Sequence, residues 1–198
     1  MKEILYTYKN QVYANITNIC DCNCQFCIRS LKDGVGEANS LWLKGDPTLE
    51  EIKQAIDAFD FSGYEEFVYC GYGEPTCALE NLIASAKYVK EKYNLKIRLN
   101  TNGLANLYHK RNVVGELAKV IDIVSISLNA PSEEKYEEVT RPQLKNAFPA
   151  LLEFAGLCKD TFSFTQFSIV DVLLDDEIKQ CQKLADEIGI YLKIRKYS

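Results

Sequence analysis

Cys20, Cys22, Cys24 and Cys27 fall within eight residues, in the stretch TNICDCNCQFCIRS, and make up half of the eight cysteines of the chain. Thiolates crowded into one short loop suit metal binding or redox work. Cys20, Cys24 and Cys27 have the spacing C-x3-C-x2-C. Three thiolates from such a loop can wrap three corners of a cubane iron–sulfur cluster, where an ordinary four-iron cluster takes four cysteines. The iron left without a protein ligand is an open position, the mark of a metal site built for chemistry. Cys22 lies two residues from both Cys20 and Cys24, a tight spacing for a neighbouring corner of the same cube, and reads as a bystander. The spacing alone leaves two other readings open: a zinc knot using all four thiols, and an electron-transfer cluster.

Other segments carry polar groups at regular intervals. CGYGEPT, residues 70–76, sets two glycines around Tyr72 ahead of the carboxylate of Glu74, with Pro75 suited to a first helical turn. By itself this is a strand-to-helix turn. LNTNG, residues 99–103, and SISLNAP, residues 125–131, end two further apolar runs in amides and hydroxyls. The lone histidine, His109, stands beside Lys110 and Arg111 and reads as a surface residue. Cys70, Cys77, Cys158 and Cys181 are scattered and suggest no auxiliary cluster, with Cys181 on the apolar stripe of a helix.

The elements that must position these groups follow from periodicity. Strands are predicted over 11–17, 66–70, 95–100, 123–129, 164–171 and 190–195. Helical stripes run through Leu49, Ile52, Ile56 and Phe59, through Leu79, Leu82, Ile83, Ala86 and Val89, and through Ile178, Cys181, Leu184, Ala185 and Ile188. Thr48 and Glu51 form a capping box after Pro47. Further helices are expected near 111–120 and 132–157, the second broken at Pro142. Alternating strands and helices imply parallel strands joined by right-handed crossovers.

The strands alternate in polarity rather than reading as continuous apolar runs. Leu95, Ile97 and Leu99 oppose Lys96, Arg98 and Asn100; Val124, Ile126 and Leu128 oppose Ser125, Ser127 and Asn129. A doubly wound sheet buries both faces, so its strands would not alternate. The expected fold is therefore α/β: an incomplete (β/α)6 parallel barrel, one domain over residues 1–198, with helices outside and a polar lumen inside. A flat sheet with one solvated face is the alternative. Alternation also turns Arg98, Lys193 and Arg195 into the lumen with Gln166 and Ser168, which favours an anionic ligand unless these cations pair with Asp171 or with helix-borne acids. The longest irregular segment, about 18–47, follows the first strand and begins with the cysteines, at the carboxyl end of a strand where ligands bind in parallel α/β folds.

Composition sets the outer bounds. The net charge of −5 gives no general attraction to nucleic acid or anionic lipid. No apolar run approaches the ~18 residues of a membrane span, and the start MKEILYTYKN lacks a signal-peptide core. A cytoplasmic location is expected. No segment is left over to cap the bottom of the barrel, so a large substrate, a partner or a second subunit is expected to close it.

The C-x3-C-x2-C loop, with Phe26 before its last cysteine, resembles that of the radical S-adenosylmethionine (SAM) superfamily. CGYGEPT resembles the glycine-glycine-glutamate motif of that superfamily, LNTNG its T-N-G, and SISLNAP a segment that often reads S-L-D. The motifs fall in order on successive strand ends, so the resemblance covers essentially the whole chain. Within the superfamily the chain is most similar to the small TatD-linked radical SAM proteins, through ILYTYKNQVY, SLWL, GYGEPT, LNTNGLANL and SISLNAP.

The resemblance implies a [4Fe-4S] cluster held by Cys20, Cys24 and Cys27, with SAM on the open iron. Reductive cleavage of SAM would yield a 5′-deoxyadenosyl radical that takes a hydrogen atom from a substrate. It implies that Gly71 and Gly73 let backbone approach the SAM ammonium, with Tyr72 between them altering how that group is held and Glu74 facing the same charge. Asn100, Thr101 and Asn102 would lie near the methionine carboxylate; Ser127 and Asn129 would contact that carboxylate or the ribose; Phe26 and Val170 would touch the adenine. Asn129 stands where an aspartate is common. The implied partners are a low-potential donor of flavodoxin or ferredoxin type, a TatD-type hydrolase by functional link, and a substrate that is a small molecule or, as for glycyl-radical activating enzymes, a protein or peptide. Arg98, Lys193 and Arg195 are the candidate substrate contacts. The non-catalytic alternative is an electron carrier or a metal-stabilised binding module.

Overall fold

The chain opens with a hairpin that the polarity pattern did not announce. The computed structural model describes residues 3–196. In it, β1 (Leu5–Tyr8) pairs antiparallel with β2 (Gln11–Ala14). Lys9 and Asn10 turn the chain with φ of 48° and 60°. Two consecutive positive φ values match the twist of a two-residue hairpin. The sequence hid β1 because ILYTY does not alternate and Lys-Asn lacks the usual glycine.

From β2 onward every neighbour is parallel. β3 (Glu66–Tyr69), β4 (Lys96–Thr101), β5 (Ile123–Ser127), β6 (Phe164–Val170) and β7 (Tyr191–Arg195) add in chain order, giving a seven-stranded sheet β1-β2-β3-β4-β5-β6-β7. β1 and β7 are the two ends of that order, so the barrel is partial and open. The correction to the six-strand expectation is one antiparallel strand at the edge.

Helices cover the outer face. α1 (Leu49–Asp57) starts with the Thr48/Glu51 capping box and buries Ile52 and Ile56. α2 (Leu79–Tyr93) follows a 3-10 turn (Pro75–Ala78) and stops at Asn94 in the left-handed region. Two short helices, α3 (Ala105–His109) and α4 (Val114–Leu117), replace the one expected over 111–120. α5 (Glu133–Thr140) and α6 (Ala147–Thr161) are separated at Arg141 and Pro142, since proline disfavours a helical residue before it. α7 (Asp175–Ile188) ends at Gly189 with φ 76°. Beneath them Val12, Phe67, Ile97, Leu99, Val124, Ile126, Phe167 and Ile169 are fully buried, one face of every central strand. No helix among the described residues is long and apolar enough to cross a membrane.

The inner face divides in two. Over β1–β3 it is polar only where Gln11 and Glu66 meet Arg98, and apolar elsewhere. Tyr6 and Tyr13 stack at 5.2 Å and pack with Val68, Tyr72 and Leu41 into a second apolar cluster. The segment after β2 folds back to build it. Buried Asn15 donates to the Leu41 carbonyl (2.7 Å) and accepts from the Tyr72 amide (3.2 Å), and Tyr72 donates through its hydroxyl to the Lys32 carbonyl. Over β4–β7 the face carries Arg98, Asn100, Ser125, Ser127, Gln166, Ser168, Lys193 and Arg195, as alternation requires.

Candidate functional site

The cysteine loop hangs from a polar clamp at the carboxyl end of β2. Thr17 donates to Asp46 (2.8 Å), Asn18 exchanges bonds with the Leu43 backbone (2.7 and 3.2 Å), and the Ile19 carbonyl takes the Glu74 amide (2.8 Å). Its far side is pinned to the end of α5 by Asn23 to Thr140 (3.0 Å), Gln25 to Val139 (2.9 Å) and a β-bridge between Cys22 and Pro142. Cys20, Cys24 and Cys27 stay partly exposed, whereas Cys22 is only 3% exposed and packs in the main core. The loop thus offers three thiols at its surface and withdraws the fourth. Among the described residues no three such side chains converge on a point that would hold a single ion.

Burial pushes the Cys20 thiol up to about 12 and raises Cys27, while the hydrogen bond from the Cys22 thiol lowers Cys24. The ligand form is the thiolate, so loading a metal here releases protons.

Behind the loop lies a buried carboxylate hub. Glu74 is 5% exposed. It accepts from the Thr76 amide (3.1 Å), the Thr76 and Thr101 hydroxyls (2.8 Å each) and the Asn102 amide (2.7 Å). Burial raises its pKa to about 7, the Asn102 amide opposing. Asn102 then donates through its side chain to Asp21, inside the cysteine motif, and lies 3.6 Å from the Cys22 sulfur. Glu74, Thr101 and Asn102 therefore act first on the loop, linking the ends of β3 and β4 to it. Asp21 was missed from the sequence. A lone acid between two cysteines was the available signal, and its Oδ2 is buried without a partner.

The glycines of the CGYGEPT motif have packing reasons. A Cβ on Gly71 would meet Asn15 Oδ1 at 2.1 Å, and one on Gly73 would meet the Thr17 and Ile19 carbonyls at 2.3 and 2.6 Å. Their missing side chains admit β2 and the clamp. Tyr72 points into the aromatic cluster, 3% exposed and edge-on to Trp42 at 5.2 Å.

Phe26 lines a shallow pocket of about 240 Å³ with Gln25, Lys135, Glu138, Val139, Val172 and Leu173. Val170 is not among those residues; the apolar wall after β6 is supplied by Val172 and Leu173, two and three positions on. Asn129, 7% exposed, sits at φ 59° with its Oδ1 unpartnered, just past Ser127 at the end of β5. Asn100 hydrogen-bonds the Cys70 thiol, which also lies near Arg195 and Arg98.

The three lumen cations differ. Arg98 is neutralised by a neighbouring strand: its guanidinium bridges to Glu66 (3.1 Å) and donates to Gln11 (2.8 Å), which bonds Glu66 in turn. Neither Asp171 nor a helix supplies that acid. Lys193 and Arg195 are exposed, and no ion pair to either is found among the described residues. His109 is partly buried and bonds the Thr76 carbonyl at 2.8 Å, a structural contact.

A family model described as the radical SAM superfamily matches residues 14–188. No curated protein matches the sequence. Among solved structures, SuiB of Streptococcus suis bound to its precursor peptide SuiA superposes with TM-score 0.68 at 17% identity, covering 92% of this chain and 38% of that one. The AdoMet-bound anSMEcpe gives 0.63 at 18%, covering 94% and 50%. Methylornithine synthase (PylB) gives 0.66 at 12%, covering 94% and 52%. These likenesses establish the fold, and the chain spans about half or less of each of these structures.

Proposed function

The chain belongs to the radical SAM superfamily, enzymes that work with a [4Fe-4S] cluster and SAM, and from that premise we propose that Cys20, Cys24 and Cys27 hold the cluster. The observation that carries this reading is the division of the loop: three partly exposed thiols and one, Cys22, turned into the core. When bound, the cluster and SAM supply a 5′-deoxyadenosyl radical able to take a hydrogen atom from a substrate.

The residues of the chain divide the remaining work. Phe26 with Val172 and Leu173 receives the adenine in the pocket they share. Asn129, with its unpartnered Oδ1, and Ser127 serve the ribose or the carboxylate, with Asn100 on the lumen side. Glu74, Thr101, Asn102 and Asp21 hold the loop in register with these contacts. The aromatic cluster keeps water from the β1–β3 half of the inner face. A low-potential flavodoxin or ferredoxin is the implied electron source.

The finer assignment, to the TatD-linked group and a functional link to a TatD-type hydrolase, rests on ILYTYKNQVY, SLWL and GYGEPT. In the fold these segments supply Tyr6, Tyr13, Leu41 and Tyr72 to one apolar cluster.

The test is anaerobic reconstitution with iron and sulfide, reduction with dithionite, and mass detection of 5′-deoxyadenosine on adding SAM. The expected result is product from the wild type and none from the Cys20/Cys24/Cys27→Ala variant. An intact cluster that yields no deoxyadenosine and no EPR change with SAM would move the reading to electron transfer.

A further inference from the structure

The two edges of the sheet are treated differently. The β1 edge is covered: the Glu37 amide donates to the Thr7 carbonyl at 3.2 Å, and the Thr7 hydroxyl bonds the Glu37 carboxylate. β7 is the other end of the strand order, and among the described residues no backbone hydrogen bond from outside the sheet reaches Leu192 or Ile194. The Arg195 carbonyl accepts from Asp171, beyond β6, so the backbone groups of Arg195 and Lys193 face β6. Those of Leu192 and Ile194 face outward, since successive residues alternate. An exposed row of such groups is a template for another strand.

The side chains of this edge state what that strand should carry. Lys193 and Arg195 lie on the inner face, exposed and without an ion pair among the described residues, in a chain of net charge −5. On the outer face Ile194 is 51% exposed. We propose that β7 receives an extended peptide segment by strand addition, with acidic residues opposite Lys193 and Arg195 and apolar residues opposite Leu192 and Ile194. A second copy is disfavoured because β7–β7 pairing would bring four cations together. The register sets Arg195 beside Val170 at the carboxyl end of the sheet, so a peptide running along β7 emerges near Val172 and Leu173 of the Phe26 pocket. The proposal names the substrate class, and in that respect it rests on the radical SAM reading.

The experiment uses the reconstituted chain without oxygen and a fluorescein-labelled octapeptide alternating glutamate and valine, followed by fluorescence polarisation. Saturable binding is expected, weakened at least tenfold by Lys193→Glu/Arg195→Glu. An octapeptide alternating lysine and valine should prefer that variant to the wild type. N-methylation of one set of alternate amides should weaken binding at least tenfold, and of the other set hardly at all. Circular dichroism checks the fold, and Lys193→Ala/Arg195→Ala serves if reversed charges unfold the edge. Binding indifferent to both variants, or to which amides are methylated, overturns the proposal. So does a dimer that either variant dissociates, which would give the edge to a second copy. Deoxyadenosine is measured in parallel. Peptide binding without it counts against the radical reading alone; deoxyadenosine without peptide binding counts against docking alone.

Discussion

The β1–β3 and β4–β7 halves of the inner face obey one alternation rule and end in opposite states. Over β1–β3 the inward side chains are Tyr6, Tyr13 and Val68, and the segment after β2 lies on them with Leu41 and Tyr72. Over β4–β7 they are mostly charged, hydroxyl or amide groups, of which Ser125, Gln166 and Ser168 are buried while Lys193 and Arg195 are exposed. Sheet geometry decides only which side chains share a face; what covers that face is decided by the chain that returns over it. In this protein one long loop both presents the thiols and closes half of the barrel, so metal binding and packing are mechanically joined.

The largest effect expected on this contrast comes from the plug. Leu41 is 1% exposed, and Leu41→Ala should cost about 2–5 kcal/mol in a denaturant titration. A cost near zero would mean that the closed half is not a packed core.

Next comes the hub that couples the two halves. Glu74 titrates near 7 in the folded chain against 4.5 unperturbed. The folded state therefore binds the extra proton between those values, and the unfolded state does not. Stability of the cluster-free chain should fall as pH rises from about 4.5 to about 7, by at most about 3 kcal/mol. Thermal melts across that window should show Glu74→Gln with a flatter profile, and an equally steep one would remove Glu74 as the cause.

Gly73→Ala, at the seam, should lose about 1–3 kcal/mol, because the new Cβ meets the backbone carbonyls of Thr17 and Ile19 and these cannot swing aside. Iron content after reconstitution should fall with it, since Thr17 and Ile19 carry the loop.

The smallest effect belongs to the polar half. Gln166 donates to Ser125 at 3.0 Å, and Gln166→Leu should change stability by no more than about 1.5 kcal/mol. A loss as large as that at Leu41 would erase the distinction between the halves.

Much of this was legible in the chain. The cap at Thr48, the stripes of α1, α2 and α7 and the break at Pro142 all come from contacts a few residues long, and the strand order follows from the alternation of strands and helices. β1 was not legible, because a hairpin with Lys9 and Asn10 in its turn and tyrosines on both strands offers neither glycine nor alternation. Phe26 and Val170 were both read as adenine contacts; Phe26 lines a pocket with Val172 and Leu173, residues of the turn after β6 where alternation no longer guides a reading.

By itself the sequence determined the spacing of Cys20, Cys24 and Cys27, the faces of the strands and the order of the motifs, since each depends on local geometry and near neighbours. Only the tertiary structure decided that Cys22 turns inward, that Glu66 neutralises Arg98, that Glu74 is bound by Thr76, Thr101 and Asn102, and that aromatic side chains fill half of the lumen. Apart from Thr76, those outcomes join residues far apart in the chain. Their physical cause is competition for burial and for hydrogen-bond partners, which is settled only when distant segments meet.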